Sequence, residues 1–241
     1  MTTAFLRNIS AVAVVASTLV FSSNASAVTI YDNSINDLNT RYSPGPLQVG
    51  DEIFLGGSER WLTGFSFEYF ALVGGVGSGV FSGTPMAQVK FYLNDGPLFN
   101  GYKTPGTVFY DSGLIDLTPL GPTERRTLVF DQWTDFGGGF YIPFAPGVSN
   151  MTWTVQFSGM GGLDTLGVDL YNPPVVGSQV GAGDYWEFVA GPGWMLKTNI
   201  SGVPMNFAAK FEAIVPEPSS TTLAILGGLG VLAVRWRIRR K

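Results

Sequence analysis

The chain has 241 residues and a formal charge of −4, with neither cysteine nor histidine. Those two absences remove disulfides, the common zinc ligand sets, the Ser-His-Asp triad and the Cys-His dyad together. Residues 28–214 hold eight Lys/Arg against 17 Asp/Glu, a formal −9, which argues against nucleic acid and anionic membrane surfaces as partners.

Met1 to Ala27 reads as a signal peptide. Arg7 supplies the positive start, Ile9 to Phe21 the apolar segment, and Ala25-Ser26-Ala27 the small-residue cleavage site, with Ala25 and Ala27 as its key positions. Residues 28–214 remain as one domain, long enough to bury a substantial core.

Within that domain, period-two alternation is the recurrent pattern. Trp61, Thr63, Phe65, Phe67 and Tyr69 share one strand face. Ala87, Val89, Phe91 and Leu93 alternate with Gln88, Lys90 and Tyr92. Met151, Trp153, Val155 and Phe157 alternate with Thr152, Thr154 and Gln156. Leu166, Val168 and Leu170 form another stripe, as do Phe207, Ala209, Phe211 and Ala213. Shorter strand candidates are 28–31, 52–55, 107–110, 126–130, 140–144 and 185–189. Asn94-Asp95-Gly96-Pro97 and Asp111-Ser112-Gly113 suit tight reversals. Leu72 to Gly83, with its run of glycines, reads as a mobile loop. About ten antiparallel strands without a helical spacer predict an all-β fold, a single β-sandwich domain that is jelly-roll-like.

Carboxylates are the strong acid-base groups left for catalysis. A glycan hydrolase or lyase would need two of them across a sugar cleft; Glu52, Glu68, Glu187 and Glu212 are candidates, although Glu68 and Glu212 fit solvated strand positions. Asp32, Asn33, Asn36 and Asp37 lie close enough in sequence for a structural calcium, but lack the spacing of a known calcium loop and equally suit local turns. No other metal or cofactor is expected. Tyr185, Trp186 and Trp194, near Asp184 and Glu187, are aromatic candidates for stacking on sugar. Adjacent strand residues point to opposite faces, so Tyr185 and Trp186 cannot serve one ligand together; Trp186 and Trp194 are the glycan-binding candidates. Asn150-Met151-Thr152 and Asn199-Ile200-Ser201 match a glycosylation tripeptide that is common by chance.

The C-terminus has three parts. Pro216-Glu217-Pro218 holds the chain extended, because each proline fixes φ and restricts its predecessor. A span of about 219–236 follows, centred on the uncharged run Thr221 to Val234 and near the lower length limit for crossing a bilayer as a helix. Arg235, Arg237, Arg239, Arg240 and Lys241 then form a basic stop within residues 235–241. Physically this could be a permanent anchor, a lipid-anchor signal or a processed sorting tag; an arginine-rich end disfavours the lipid-anchor signal.

Residues 215–241 closely resemble the PEP-CTERM sorting signal of Gram-negative bacteria. The resemblance implies recognition by an exosortase, a membrane-embedded transpeptidase-like enzyme, and an inner-membrane-anchored intermediate that ends at the cell surface or outside the cell. The mature domain, through stretches such as Phe65–Phe70, Phe91–Gly96, Trp153–Gly159 and Leu170–Pro174, is similar to one group of PEP-CTERM exported proteins; this similarity carries over no catalytic residue. The expectation is a non-enzymatic surface or matrix-associated protein that binds extracellular polysaccharide. The alternative is an extracellular carboxylate-dependent glycan hydrolase or lyase.

Overall fold

The computed structural model describes residues 26–145, 147–181, 184–198 and 202–215. The predicted signal peptide up to Ala25, the Pro216-Glu217-Pro218 motif, the predicted span and the basic tail lie outside the described residues. Among the described residues, no helix is long and apolar enough to cross a membrane.

The strands in chain order are β1 (Val28–Asp32), β2 (Asp37–Tyr42), β3 (Gln48–Phe54), β4 (Trp61–Val73), β5 (Met86–Leu93), β6 (Leu98–Phe99), β7 (Tyr102–Lys103), β8 (Val108–Asp111) and β9 (Ile115–Asp116). There follow β10 (Thr123–Asp131), β11 (Phe140–Tyr141), β12 (Asn150–Ser158), β13 (Asp164–Tyr171), β14 (Ser178–Gln179), β15 (Asp184–Val189), β16 (Gly193–Thr198) and β17 (Ala209–Ile214). One sheet runs β1-β17-β4-β13-β2, with β10 and β11 along the other edge of β4. The second runs β16-β15-β3-β12-β5-β8, with β14 beside β3 and β9 beside β5. Long strands that follow one another change sheet: β2 to β3, β3 to β4, β4 to β5, β10 to β12 and β12 to β13. With every pairing antiparallel, this is the jelly-roll-like sandwich that the alternation predicts.

Aromatic rings join the two inner faces. Phe65 of the first sheet lies 5.0 Å from Phe91 and 5.3 Å from Trp153 of the second, and 4.6 Å from its own neighbour Phe211. Burying such rings supplies the stability that a chain without disulfides must draw from its core.

Strict alternation fails at the start of β4. Gly64 pairs with Glu212, whereas Leu62 pairs with Ala213, so Thr63 is the extra residue of a β-bulge. The bulge turns Leu62 fully into the core. Trp61 leaves the predicted stripe, and its indole donates to the Gly138 carbonyl at 3.3 Å. Two further strands of six residues, β2 and β16, and the two-residue strands β6, β7, β9 and β14 have no counterpart in the pattern. β2 is a polar edge strand, and its first residue, Asp37, belongs to the segment expected to be a loop. β16 follows a Gly/Pro-rich turn. Within 140–144 only β11 is strand.

The glycine-rich segment that ends at Gly83 is pinned. The Asp164 carboxylate accepts Ser82 N–H at 2.8 Å, Ser82 O–H at 2.9 Å, Gly83 N–H at 2.8 Å and Gly161 N–H at 2.8 Å. A Cβ on Gly83 would sit 2.3 Å from the Gly159 carbonyl oxygen, so this close approach requires glycine. The C-terminal end of the loop is therefore anchored.

The first and last strands are neighbours in the sheet. Val28, the first residue after the predicted cleavage site, pairs with Ala213 near the end of β17.

Candidate functional site

The outer face of the second sheet carries an aromatic and amide-rich row. Paired residues of neighbouring strands share a face. Trp194 pairs with Phe188, Phe188 with Gln48, Gln48 with Gln156, and Gln156 with Gln88. The row therefore crosses five strands. Gln48 donates through one amide nitrogen to the Tyr92 hydroxyl at 2.9 Å and to Thr154 Oγ1 at 2.8 Å. Gln156 donates to the Pro46 carbonyl at 3.0 Å and Gln88 to Asp111 Oδ1 at 2.7 Å. Trp194 stands edge-on to Tyr92 at 5.3 Å and to Phe188 at 5.2 Å. Phe188 is 42% exposed and Trp194 half-buried. The next row holds Trp186, Gly50, Thr154 and Lys90.

The two candidate tryptophans have different environments. Trp186 is fully buried, its indole donating to Glu52 Oε2 at 3.2 Å and Phe99 of the β6–β7 hairpin lying 6.4 Å away edge-on. Beside it, Glu52, Tyr102, Val180, Asp184, Tyr185 and Leu196 line a cavity of about 10 Å³, close to the room one water needs. Trp186 is thus a floor beneath the surface, and only Trp194 of the pair presents itself to solvent. Glu52 also accepts from Asn150 at 2.7 Å, yet burial holds its carboxyl above the usual range. That bond engages the Asn150 side chain within the sheet; Asn199 lies outside the described residues. Tyr185 faces inward, its hydroxyl 2.9 Å from that of Tyr42, and Glu187 is paired with Lys197 at 3.5 Å.

The other two candidate carboxylates, Glu68 and Glu212, sit on the first sheet. Arg125 Nε lies 3.5 Å from Glu68 and 4.0 Å from Asp169, and its terminal nitrogen 2.8 Å from Asp37. Tyr171 donates to Glu68 at 2.8 Å. Asp169 is completely buried, 3.4 Å from Arg41, and burial lifts its pKa to about 6 against the pull of the two arginines. Glu212 pairs with Lys210 at 2.6 Å. The calcium candidates are all engaged by other protein groups, most of them distant in sequence. Asp32 accepts from Ser34, Asn33 donates to the Tyr171 and Phe207 carbonyls, and Asn36 donates to the Pro173 carbonyl. Asp37 accepts the Asn39 N–H as well as its arginine. Among the described residues, no group of three or more acidic side chains is placed to hold a metal ion.

Beyond β17, residues 215–241 match the family model described as PEP-CTERM protein-sorting motif. The chain carries a PEP-CTERM sorting motif. The match covers Pro216, Glu217 and Pro218 together with all five cations of the basic tail. A PEP-CTERM motif marks an extracellular protein processed by an exosortase. No curated protein and no solved structure matches the chain, so the role of the sandwich rests on its own chemistry. The amide row on the second sheet carries no motif in the sequence, although Gln88, Gln156 and Tyr92 are the outward partners in two of its alternating stripes.

Proposed function

We propose that the mature domain is a non-enzymatic surface or matrix-associated protein that binds extracellular polysaccharide through the outer face of its second sheet. The signal peptide exports it, the apolar tail holds it as a membrane-anchored intermediate, and removal of the tail delivers it outside. The observation that carries the binding reading is the row Trp194–Phe188–Gln48–Gln156–Gln88. Aromatic faces stack on the C–H faces of pyranose rings, and amide side chains both donate to and accept from hydroxyls. A face kept merely for solubility would carry charges instead. The test is binding of the tail-processed protein to the producing cell's own polysaccharide and to a glycan array, with and without calcium. Saturable binding weakened by Trp194→Ala is expected; no binding to any glycan would overturn the module reading and leave a structural role.

A glycan hydrolase or lyase is the second reading, favoured by one observation: Glu68 and Asp169 are brought to the same guanidinium while their environments differ, as acid and base partners require. Arg125 occupies the space between them and Asp169 is sealed from solvent, which favours a structural ion network. Release of reducing ends or unsaturated sugar, abolished by Glu68→Gln, would establish the enzyme.

A further inference from the structure

The end of the sandwich where the chain leaves β17 exposes aromatic residues that its core could have covered. Trp133 is 77% exposed, although Phe136, three residues later, is buried. The turn that holds Trp133 outward is well determined. Asp131 Oδ1 accepts the N–H groups of Trp133 and Thr134 at 2.8 and 2.9 Å, and Asp135 Oδ2 accepts the Asp131 N–H at 2.8 Å. Gly138 N–H donates to the Gln132 carbonyl at 2.7 Å, and the Gly138 carbonyl receives both Gln132 and the Trp61 indole. Tyr141, 58% exposed, pairs with Trp61, which on its other edge pairs with Ile214. Tyr141 thus lies two strand spacings, roughly 10 Å, from the last strand residue.

We infer that this end of the domain rests in the headgroup region of the bilayer while the tail is attached, with Trp133 and Tyr141 as its contacts. The inference rests on the reading of residues 219–236 as a membrane span. Only Pro216, Glu217 and Pro218 separate Val215 from the start of that span, a reach of roughly 14 Å even when fully extended. Chain length alone therefore keeps the patch within roughly 25 Å of the start of that span. Trp and Tyr are the side chains that favour the membrane–water interface, because a ring can bury its body and keep a polar edge wet. Asp131 and Asp135 flank Trp133, while Glu59 and Arg60 on the β3–β4 connection offset each other, so a zwitterionic surface suits this end better than an anionic one.

The absence of natural cysteine permits a direct test on the full-length chain. Thr134→Cys, beside Trp133, and Val80→Cys, 84% exposed on a different loop, each carry an environment-sensitive fluorophore, and the chain is reconstituted into phosphatidylcholine vesicles containing brominated acyl chains. Flotation reports membrane insertion and fluorescence quenching reports docking. Expected are flotation, quenching of at least twofold at position 134, no quenching at position 80, and loss of quenching in a Trp133→Ala/Tyr141→Ala background. Flotation without quenching at 134, or equal quenching at both positions, overturns docking while leaving the span intact. Failure to float overturns the span reading and the inference with it.

Discussion

Asp51 and Trp153 are directly paired across β3 and β12 in the middle of the core, and Asp51 Oδ1 and Trp153 Nε1 each find no hydrogen-bond partner among the described residues. The other Asp51 oxygen accepts the Phe207 N–H at 3.3 Å. A carboxyl in this setting resists ionisation, and burial raises its pKa well above the usual range. A raised folded-state pKa stabilises the fold below the unfolded value, near 4, and that contribution is lost as pH rises through the folded value. Asp51→Asn keeps an acceptor for Phe207 and cannot ionise. It is expected to raise stability at pH 7 by about 1–2 kcal/mol and to flatten the decline between pH 4 and 7. Urea unfolding across that range checks both.

Phe65 joins the two sheets at one point, with Phe67, Phe91, Phe130, Trp153 and Phe211 around it. Phe65→Ala leaves a cavity between sheets that cannot close independently. The expected loss is about 3–5 kcal/mol, read as a shift of the urea midpoint, with a smaller loss for Phe65→Leu.

The stripes in β5, β12 and β13 were legible because one face of each strand is uniformly apolar, and the fold class followed from them. What escaped were features set by tertiary pairing. The Thr63 bulge leaves no mark in composition, yet it exchanges Leu62 for Trp61 at the core. β2 reads as Asp-Leu-Asn-Thr-Arg-Tyr, an edge whose charges are satisfied by Arg125 and Asp169 from distant strands. Gln48 carried no local signal at all; its place in the amide row depends on the register of β3 against both β12 and β15. Trp186 and Trp194 looked equivalent in sequence, and only the β6–β7 hairpin makes one buried and the other half-exposed.

Asp169 gives a second pH-dependent contribution. Its pKa of about 6 lies above the unfolded value near 4, so stability from this group falls as pH rises from about 4 through 6. Arg125→Gln removes one of the two cations that restrain the shift. The variant is expected to lose about 1–2 kcal/mol at pH 7, less than a fully buried pair would, because Arg125 is partly solvated. It should also move the Asp169 titration higher, which carboxyl-carbon NMR would register directly. Asp169→Asn should abolish that part of the pH dependence.

Trp194 and Trp186 separate binding from folding. Trp194→Ala removes a half-exposed ring at the end of the amide row, so glycan affinity should fall about tenfold, roughly 1.4 kcal/mol, with little change in the unfolding midpoint. Trp186→Ala empties a buried position and releases the Glu52 carboxylate from its donor, so its main effect should be a loss of about 3 kcal/mol or more in stability. Calorimetric titration with bound polysaccharide fragments, run beside denaturation curves, distinguishes the two.

Glu217 lies between two prolines just past the last strand. Each proline lacks a backbone donor and fixes its own φ, so neither can add a ladder hydrogen bond to the sheet. Because β17 ends at Ile214, Glu217→Ala should leave the domain's unfolding curve unchanged. Sorting should nevertheless fail, since the substitution removes the single charge of the matched motif's leading tripeptide. The expected outcome is accumulation of a membrane-bound form whose intact mass still includes Arg235 to Lys241, with a corresponding drop in released protein. Normal release of the variant, with the tail removed as in the natural chain, would contradict the role assigned to Glu217.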